Sequence, residues 1–211
     1  MHDALILGRF NWSLAATRIL MALVSQLRPE EYDHFTSQIL KVRDLAYLAD
    51  QEYGSWYEEA RRITRSLGGE VVEIQAGRKG WQRIPLFKSV RYLDDAGMIN
   101  VQFSKSIRPY LLQEDASSWP LGAILSLSTG YAMRHYMLGK LMQGKGHQHT
   151  LTVRQYRECL KLETKYTRFR DLKRRIITPS IKEINEQTDL SMSVDVERIA
   201  HQPAVITFRT E

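Results

Sequence analysis

Apolar residues along this chain recur with two different periods, and the switches between them write the same sentence twice. Leu14, Leu20, Leu23, Val24 and Leu27 follow helical spacing behind Ser13, a side chain suited to N-capping. Pro29 and the polar residues after it end that helix. Residues 35–42 read as a short strand and 43–51 as a helix. After a break at Gly54, residues 55–67 form a third helix, stopped by Gly68-Gly69. Period-two segments come next: 70–75, a turn at AGRKG, the long stretch WQRIPLFKSVRYL, a turn at DDAG, and 98–103.

The order then returns. A helix is predicted over 121–142, a glycine-rich break at 144–146, a strand over 149–152, a helix over 153–161 and a basic helix from Lys165. Pro179 predicts a kink or a fresh helical start in its continuation. Residues 190–196 and 204–209 alternate as a hairpin. Helix, strand, helix, helix, hairpin is winged helix-turn-helix order. The fold class is therefore α+β, two tandem winged helix-turn-helix domains joined at QEDASSWP, with 1–114 as the first and 115–211 as the second. Only the pattern supports the duplication, since the halves share no recognisable sequence.

Charge adds a direction to this picture. The run KYTRFRDLKRR, residues 165–175, holds six Lys/Arg against one Asp, a net +5 within a protein of net +6. It is a helix rather than a tail because Phe169, Leu172 and Ile176 form one stripe in it. A helix anchored by one stripe and basic elsewhere suits a DNA groove walled by phosphates. At about 100° per residue, Arg168 and Arg175 share a face with Thr164 and Asp171, and are expected to read bases. Lys165, Arg170, Lys173 and Arg174 are expected to hold phosphates. The second wing tip offers Arg198, His201 and Gln202, for which an ordinary polar turn is the plainer alternative. In the first half, Arg61, Arg62 and Arg65 form a smaller cluster, with Glu58 spaced to pair with Arg61 and Arg62. A solvated helix face explains that cluster as well as DNA contact does. Arg78, Lys79 and Arg83, around Gly77 and Gly80, are expected to make a first wing.

Bulk composition narrows the partner. At 211 residues with a sequence pI near 9.4, the chain favours a polyanion, either nucleic acid or an anionic membrane. No apolar run of about 18 residues spans a bilayer, and no signal pattern opens the chain, so no membrane association is expected. The one cysteine, Cys159, cannot make an intrachain disulfide and fits a reducing cytoplasm. It sits in the apolar pattern of Val153, Tyr156 and Leu160, which makes it a structural thiol. There is no P-loop, no GxSxG elbow and no zinc spacing of cysteines. No catalytic residue, cofactor or metal is expected. His147-Gln148-His149 has the H-x-H form of DNA-nicking enzymes. Yet it follows a flexible GKG, flanks Gln, and Tyr131, Tyr136, Tyr156 and Tyr166 all occupy apolar or amphipathic helix positions.

The stretches YAMRHYMLGKL, LTVRQYRECLKL and FRDLKRRIITPSIKEINEQTDL resemble the replication initiator (Rep) proteins of iteron-containing, theta-replicating bacterial plasmids. The Pro-x-x-x-Glu-Ile-Asn segment behind the basic helix is the most specific element. LILGRFNWSLAATRILMALVSQL and IPLFKSVRYLDDAGMINVQFSKSIRPYLL extend the resemblance over the first half. The resemblance implies a C-terminal winged helix as the main contact to directly repeated origin sites, with Lys165, Arg168, Lys173, Arg174 and Arg175 leading. It implies an N-terminal domain that adds DNA contacts and supplies a homodimer interface in equilibrium with monomer. Dimers would repress at an operator inverted repeat, and host DnaA and DnaB helicase would be partners. The apolar content of residues 35–42 and 98–103 makes them candidate dimer strands. A dimeric winged-helix transcriptional repressor without a replication role is the alternative, and a basic scaffold without sequence preference is a further one.

Overall fold

The computed structural model describes residues 3–27, 37–48, 53–77, 80–111, 120–200 and 202–211. They form two compact units, one of Met1–Gly8 and Trp12–Ser126, the other of Arg9–Asn11 and Leu127–Glu211. The expected domain boundary at 114/115 falls within 112–119, outside the described residues.

In the first unit, a short helix α1 (Asp3–Ile6) precedes α2 (Leu14–Val24). Ser13 caps α2 as expected, its hydroxyl accepting the Ala16 N–H at 3.1 Å. Strand β1 (Gln38–Lys41), α3 (Val42–Leu48) and α4 (Tyr53–Leu67) follow, and then β2 (Val71–Ala76), β3 (Gly80–Pro85), β4 (Phe87–Leu93) and β5 (Met98–Phe103). Short helices α5 (Arg108–Leu111) and α6 (Leu121–Ser126) complete the unit. Residues 35–36 of the expected first strand lie outside the described residues.

The stretch WQRIPLFKSVRYL is two strands rather than one. Buried Leu86 is where the chain changes partner: its N–H still donates to the Glu70 carbonyl beside β2, while its carbonyl accepts the Ser104 N–H just beyond β5. Consequently β3 pairs with β2 in a sheet of their own, while β4 joins β5 and β1 in an antiparallel sheet of order β1-β5-β4. Leu40, Ile99 and Val101 from that sheet are buried, as are Ile19, Leu20 and Leu23 of α2 and Ile63 of α4. The DDAG turn is one 3₁₀ turn ended by Gly97 at φ 57°, where a Cβ would come 2.5 Å from the Tyr57 ring.

The second unit repeats the plan with α7 (Gly130–Gln143), β6 (Gln148–Thr152), α8 (Val153–Cys159), α9 (Phe169–Leu172), a π turn (Lys173–Ile177), α10 (Thr178–Gln187), β7 (Met192–Ile199) and β8 (Gln202–Thr210). Its sheet runs β6-β8-β7, the same first-third-second order as β1-β5-β4. The helix expected over 121–142 is two helices. Thr129, extended at φ −135°, accepts the Ala132 N–H and starts α7 afresh, and α6 belongs to the first unit.

Residues 169–187 are helical without interruption, and α10 begins afresh after the π turn with Pro179 in its first turn. A proline ring crowds the carbonyl four residues back. The π turn just before it supplies a wider ring, in which the Thr178 N–H donates to Lys173, five residues back. Leu172, Ile177 and Ile184 of this helix are buried in the unit that also buries Met133, Tyr136, Ile206 and Phe208. Gly139 of α7 allows the closest approach, because a Cβ there would meet Leu190 and Met192 within 2.8 Å.

Arg9–Asn11 belong to this second unit. Arg9 pairs with Glu163 at 2.8 Å, and the Phe10 N–H donates to the Cys159 carbonyl at 3.2 Å. The Phe10 ring lies 3.5 Å from the guanidinium of Arg134, whose pKa burial pulls down to about 10. Burial pushes the Cys159 thiol up, away from the reactive thiolate.

Candidate nucleic-acid interface

Between α8 and α9 the chain turns through Lys161 and Tyr166, both non-glycine residues at φ 51°. Such conformations persist only where surrounding contacts fix them. Arg157 provides those contacts. Its guanidinium donates to the carbonyls of Leu162 (3.3 Å), Lys165 (2.8 Å), Tyr166 (2.7 Å) and Thr167 (3.2 Å). Five donors in a planar fork make arginine the side chain suited to gathering several carbonyls. The clamp sets Arg168 at the N-cap of α9, in an extended conformation at φ −80°.

From there the helix and the β7–β8 hairpin flank an open groove of about 980 Å³. Arg168, Arg170, Lys173 and Arg174 line it from the helix side, and Arg198 and Gln202 from the hairpin. Arg174 has one partner, Asp171 at 3.4 Å. The groove's one carboxylate, Asp195, is held by Arg209 across the strand pair. Among the described residues no carboxylate pairs with Arg168, Arg170, Lys173 or Arg198. Like charges in a concave surface raise the local concentration of an anionic partner. His201 lies outside the described residues, and Lys165 stands in the clamped turn, exposed and outside the groove lining.

The expected face assignment needs correction. Arg168 and Arg175 do not share a side. Arg168 lines the groove with Arg170, Lys173 and Arg174, whereas Arg175 lines a separate hollow with Thr129, Tyr131, Pro179 and Lys182. Two features rotate the wheel away from the ideal 100° step. Arg168 is not yet helical, and the π turn carries 173–177 at a different angular step from the α-helix.

The Pro-x-x-x-Glu-Ile-Asn segment proves to be scaffold for the groove. Glu183 accepts the Ser128 N–H at 2.6 Å, and Ile184 is fully buried. Asn185 makes a two-way clamp on Met192, donating to its carbonyl at 2.9 Å and accepting its N–H at 2.8 Å. That clamp fixes the end of the helix to the start of the hairpin. Asn185 belongs to the segment singled out from sequence, but Arg157 does not: it is an ordinary polar residue on a helix, and only its partners beyond the helix mark it.

The first unit is electrostatically different. Arg61 bonds Asp94 at 2.6 and 2.9 Å, and Arg62 bonds Glu59 at 2.6 and 2.8 Å. These pairs replace the expected ones to Glu58, and Arg61 and Arg62 are both held more firmly protonated by their hydrogen bonds. Arg65 is exposed on the same helix. Sheet order gives the place of the wing to β4–β5, with Asp94 and Asp95 at its tip, not to the hairpin of Arg78, Lys79 and Arg83. That hairpin is a separate two-stranded insertion, on which Arg83 is exposed and residues 78–79 lie outside the described ones.

For the H-x-H segment, His147 takes φ 62° in the turn before β6 and its ring faces the Thr210 hydroxyl at 3.4 Å. No group of three or more His, Cys, Asp or Glu placed to hold a metal occurs among the described residues. No described helix is long and apolar enough to cross a membrane.

Two winged-helix units in tandem define the class of the molecule. Residues 1–140 match the family described as Initiator Replication protein, WH1, and residues 152–209 match Initiator Rep protein, WH2; the chain belongs to this replication initiator family. An Escherichia coli replication initiation protein is 24% identical over 208 residues, covering 92% of this chain. The chain spans 63% of that protein's length. The crystal structure of the Pi initiator protein in complex with iteron DNA superimposes with a TM-score of 0.77 at 20% identity, covering 99% of this chain and 94% of that one. Domains 2 and 3 of RctB superimpose with a TM-score of 0.53 at 14% identity over 94% of this chain and 80% of that one. These likenesses establish the fold.

Proposed function

We propose that this protein is a plasmid replication initiator that binds directly repeated origin sites, iterons, as double-stranded DNA, without catalysing a reaction and without a cofactor. The observation that carries the reading is the groove of Arg168, Arg170, Lys173, Arg174 and Arg198 between helix and hairpin. A helix of 19 residues (169–187) enters a major groove at its α9 end, and the β7–β8 hairpin follows the neighbouring backbone. Phosphates take Lys173, Arg170 and Arg198, while Arg168 and Arg174 reach base edges, where arginine binds guanine by two hydrogen bonds. Arg175 adds a contact from the flank of the same helix, Lys165 from the turn before it, and His201 from the hairpin turn. The first domain, 1–114, contributes a weaker DNA contact through Arg61, Arg62 and Arg65, with Arg78 and Lys79 from the inserted hairpin, and the second domain, 115–211, the main one.

Dimerisation belongs to the first domain and represses the protein's own promoter at an inverted repeat. Strand β5 is hydrogen-bonded on both sides, so β1 is the candidate for the dimer contact. It is an edge strand, with Ile39 half exposed. Host DnaA and DnaB helicase complete origin opening in a bacterial cytoplasm. Selection of bound duplexes from a random pool tests the reading. A defined site of about two helical turns, occurring as direct repeats in the source replicon, supports an initiator. A lone palindrome at a promoter assigns a repressor, and no enrichment removes DNA recognition altogether.

A further inference from the structure

The hairpin tip holds a residue that the fold does not use. Ile199 is 61% exposed, more than Ile39, Trp81 or Leu93, the other large apolar residues exposed among those described. Single exposed apolar residues are common, so exposure alone decides nothing. Position does. Ile199 is the last residue of β7 and pairs with Gln202, the first of β8, with Ala200 after it at φ 48°. The register shifts between Glu197 and Arg198, one step before it. The extra residue, Ala204, lies on β8, and a bulge there bends the ribbon and increases its twist just before the tip. On either side of the tip, Arg198, Gln202 and Pro203 line the cationic groove. The exposed isoleucine is therefore flanked by residues of the surface assigned to DNA, at the end of the hairpin.

We propose that Ile199 is a minor-groove wedge: with the helix in the major groove, the hairpin tip enters the adjoining minor groove and Ile199 inserts at one base step. This rests on the DNA-binding reading above and adds a distinct role to it. Chemistry favours the base step as the occupant. An aliphatic side chain gains nothing against phosphate or water, but gains contact area between unstacked bases. The neighbouring Arg198 suits the negative potential of a narrow AT-rich minor groove. Apolar wedges unstack pyrimidine–purine steps at least cost, so the site under the tip is expected to contain TA or CA. Local unstacking, rather than extra affinity, is the product of the contact.

The experiment uses full-length protein and the duplex recovered by selection, with 2-aminopurine placed at successive positions under the hairpin. Wild-type protein is expected to raise the fluorescence at one step. Ile199→Ala and Ile199→Ser abolish that rise while binding the site less tightly by no more than about a hundredfold, the worth of burying one isoleucine. Their salt dependence stays unchanged, and Ile199→Leu restores the signal. Arg198→Ala lowers affinity and salt dependence instead. A fluorescence rise that persists in Ile199→Ala, or no rise at any step with tightly bound wild-type protein, overturns the wedge and leaves DNA binding intact. Wild-type protein that binds no defined duplex overturns both.

Discussion

His135 is the residue whose protonation most directly threatens the second domain. It is buried against Tyr156 and Phe208, with its Nε2 2.8 Å from the Tyr156 hydroxyl, and burial pushes its pKa down to about 4. Above the ordinary value of 6.5, folded and unfolded chains both hold it neutral, and the full stability is present. As pH falls from 6.5 towards 4, the unfolded chain takes up a proton that the folded chain refuses, so stability drains away across that window. The loss amounts to about 3 kcal/mol by pH 4. Thermal melts from pH 7.5 to 4 should show it, and His135→Gln, whatever its cost at neutral pH, should flatten the decline. An undiminished acid slope in that variant would assign the effect to carboxylates elsewhere. Arg157 gives a second test at this scale. Arg157→Lys keeps the charge but loses the planar fork that gathers four carbonyls. The turn should loosen, costing about 1–3 kcal/mol in chemical unfolding and weakening DNA binding beyond what one conserved charge accounts for.

Among the elements, the helix of α9, π turn and α10 decides which cations act together. Residues that line one groove are expected to couple on DNA, and residues on separate flanks to add independently. In double-mutant cycles on the bound duplex, Arg168→Ala with Arg174→Ala should depart from additivity by roughly 0.5 kcal/mol or more, whereas Arg168→Ala with Arg175→Ala should add. Coupling of Arg168 to Arg175 instead would restore the ideal-wheel assignment. That wheel marks the limit of what could be read from sequence. Local signals were legible: the Ser13 cap, the alternation of Met98–Phe103, the strand ending at Thr152, and the buried Leu172 and Ile176 of the basic helix, though Phe169 of the same expected stripe lines the groove instead. Each depends on neighbours within a turn or two. The split of β3 from β4 depends on what Leu86 bonds elsewhere, and the Arg61–Asp94 pair joins residues 33 apart. The π turn leaves no mark in the apolar period, because Leu172, Ile176 and Ile177 stay inside on either geometry.

At the level of the whole molecule, one plan is used twice with different electrostatics. Both sheets have the same strand order and both units present a helix beside a hairpin. In the second unit that arrangement leaves four cations without an acidic partner among the described residues. In the first, Glu59 and Asp94 already hold Arg62 and Arg61. On the proposed reading this divides the labour, with the second domain supplying most of the affinity and the first modulating it. The chain belongs to the replication initiator family, and on the proposed reading the groove is its physical means of finding an origin. The most direct measurement is the affinity of full-length wild-type and Lys173→Ala protein for the selected duplex and for a scrambled one, across a salt series. The account requires tighter binding to the selected duplex, and a slope of log affinity against log salt that shrinks by about one in the variant, with sequence preference retained. Equal binding to both duplexes, or a slope unmoved by Lys173→Ala, would contradict it.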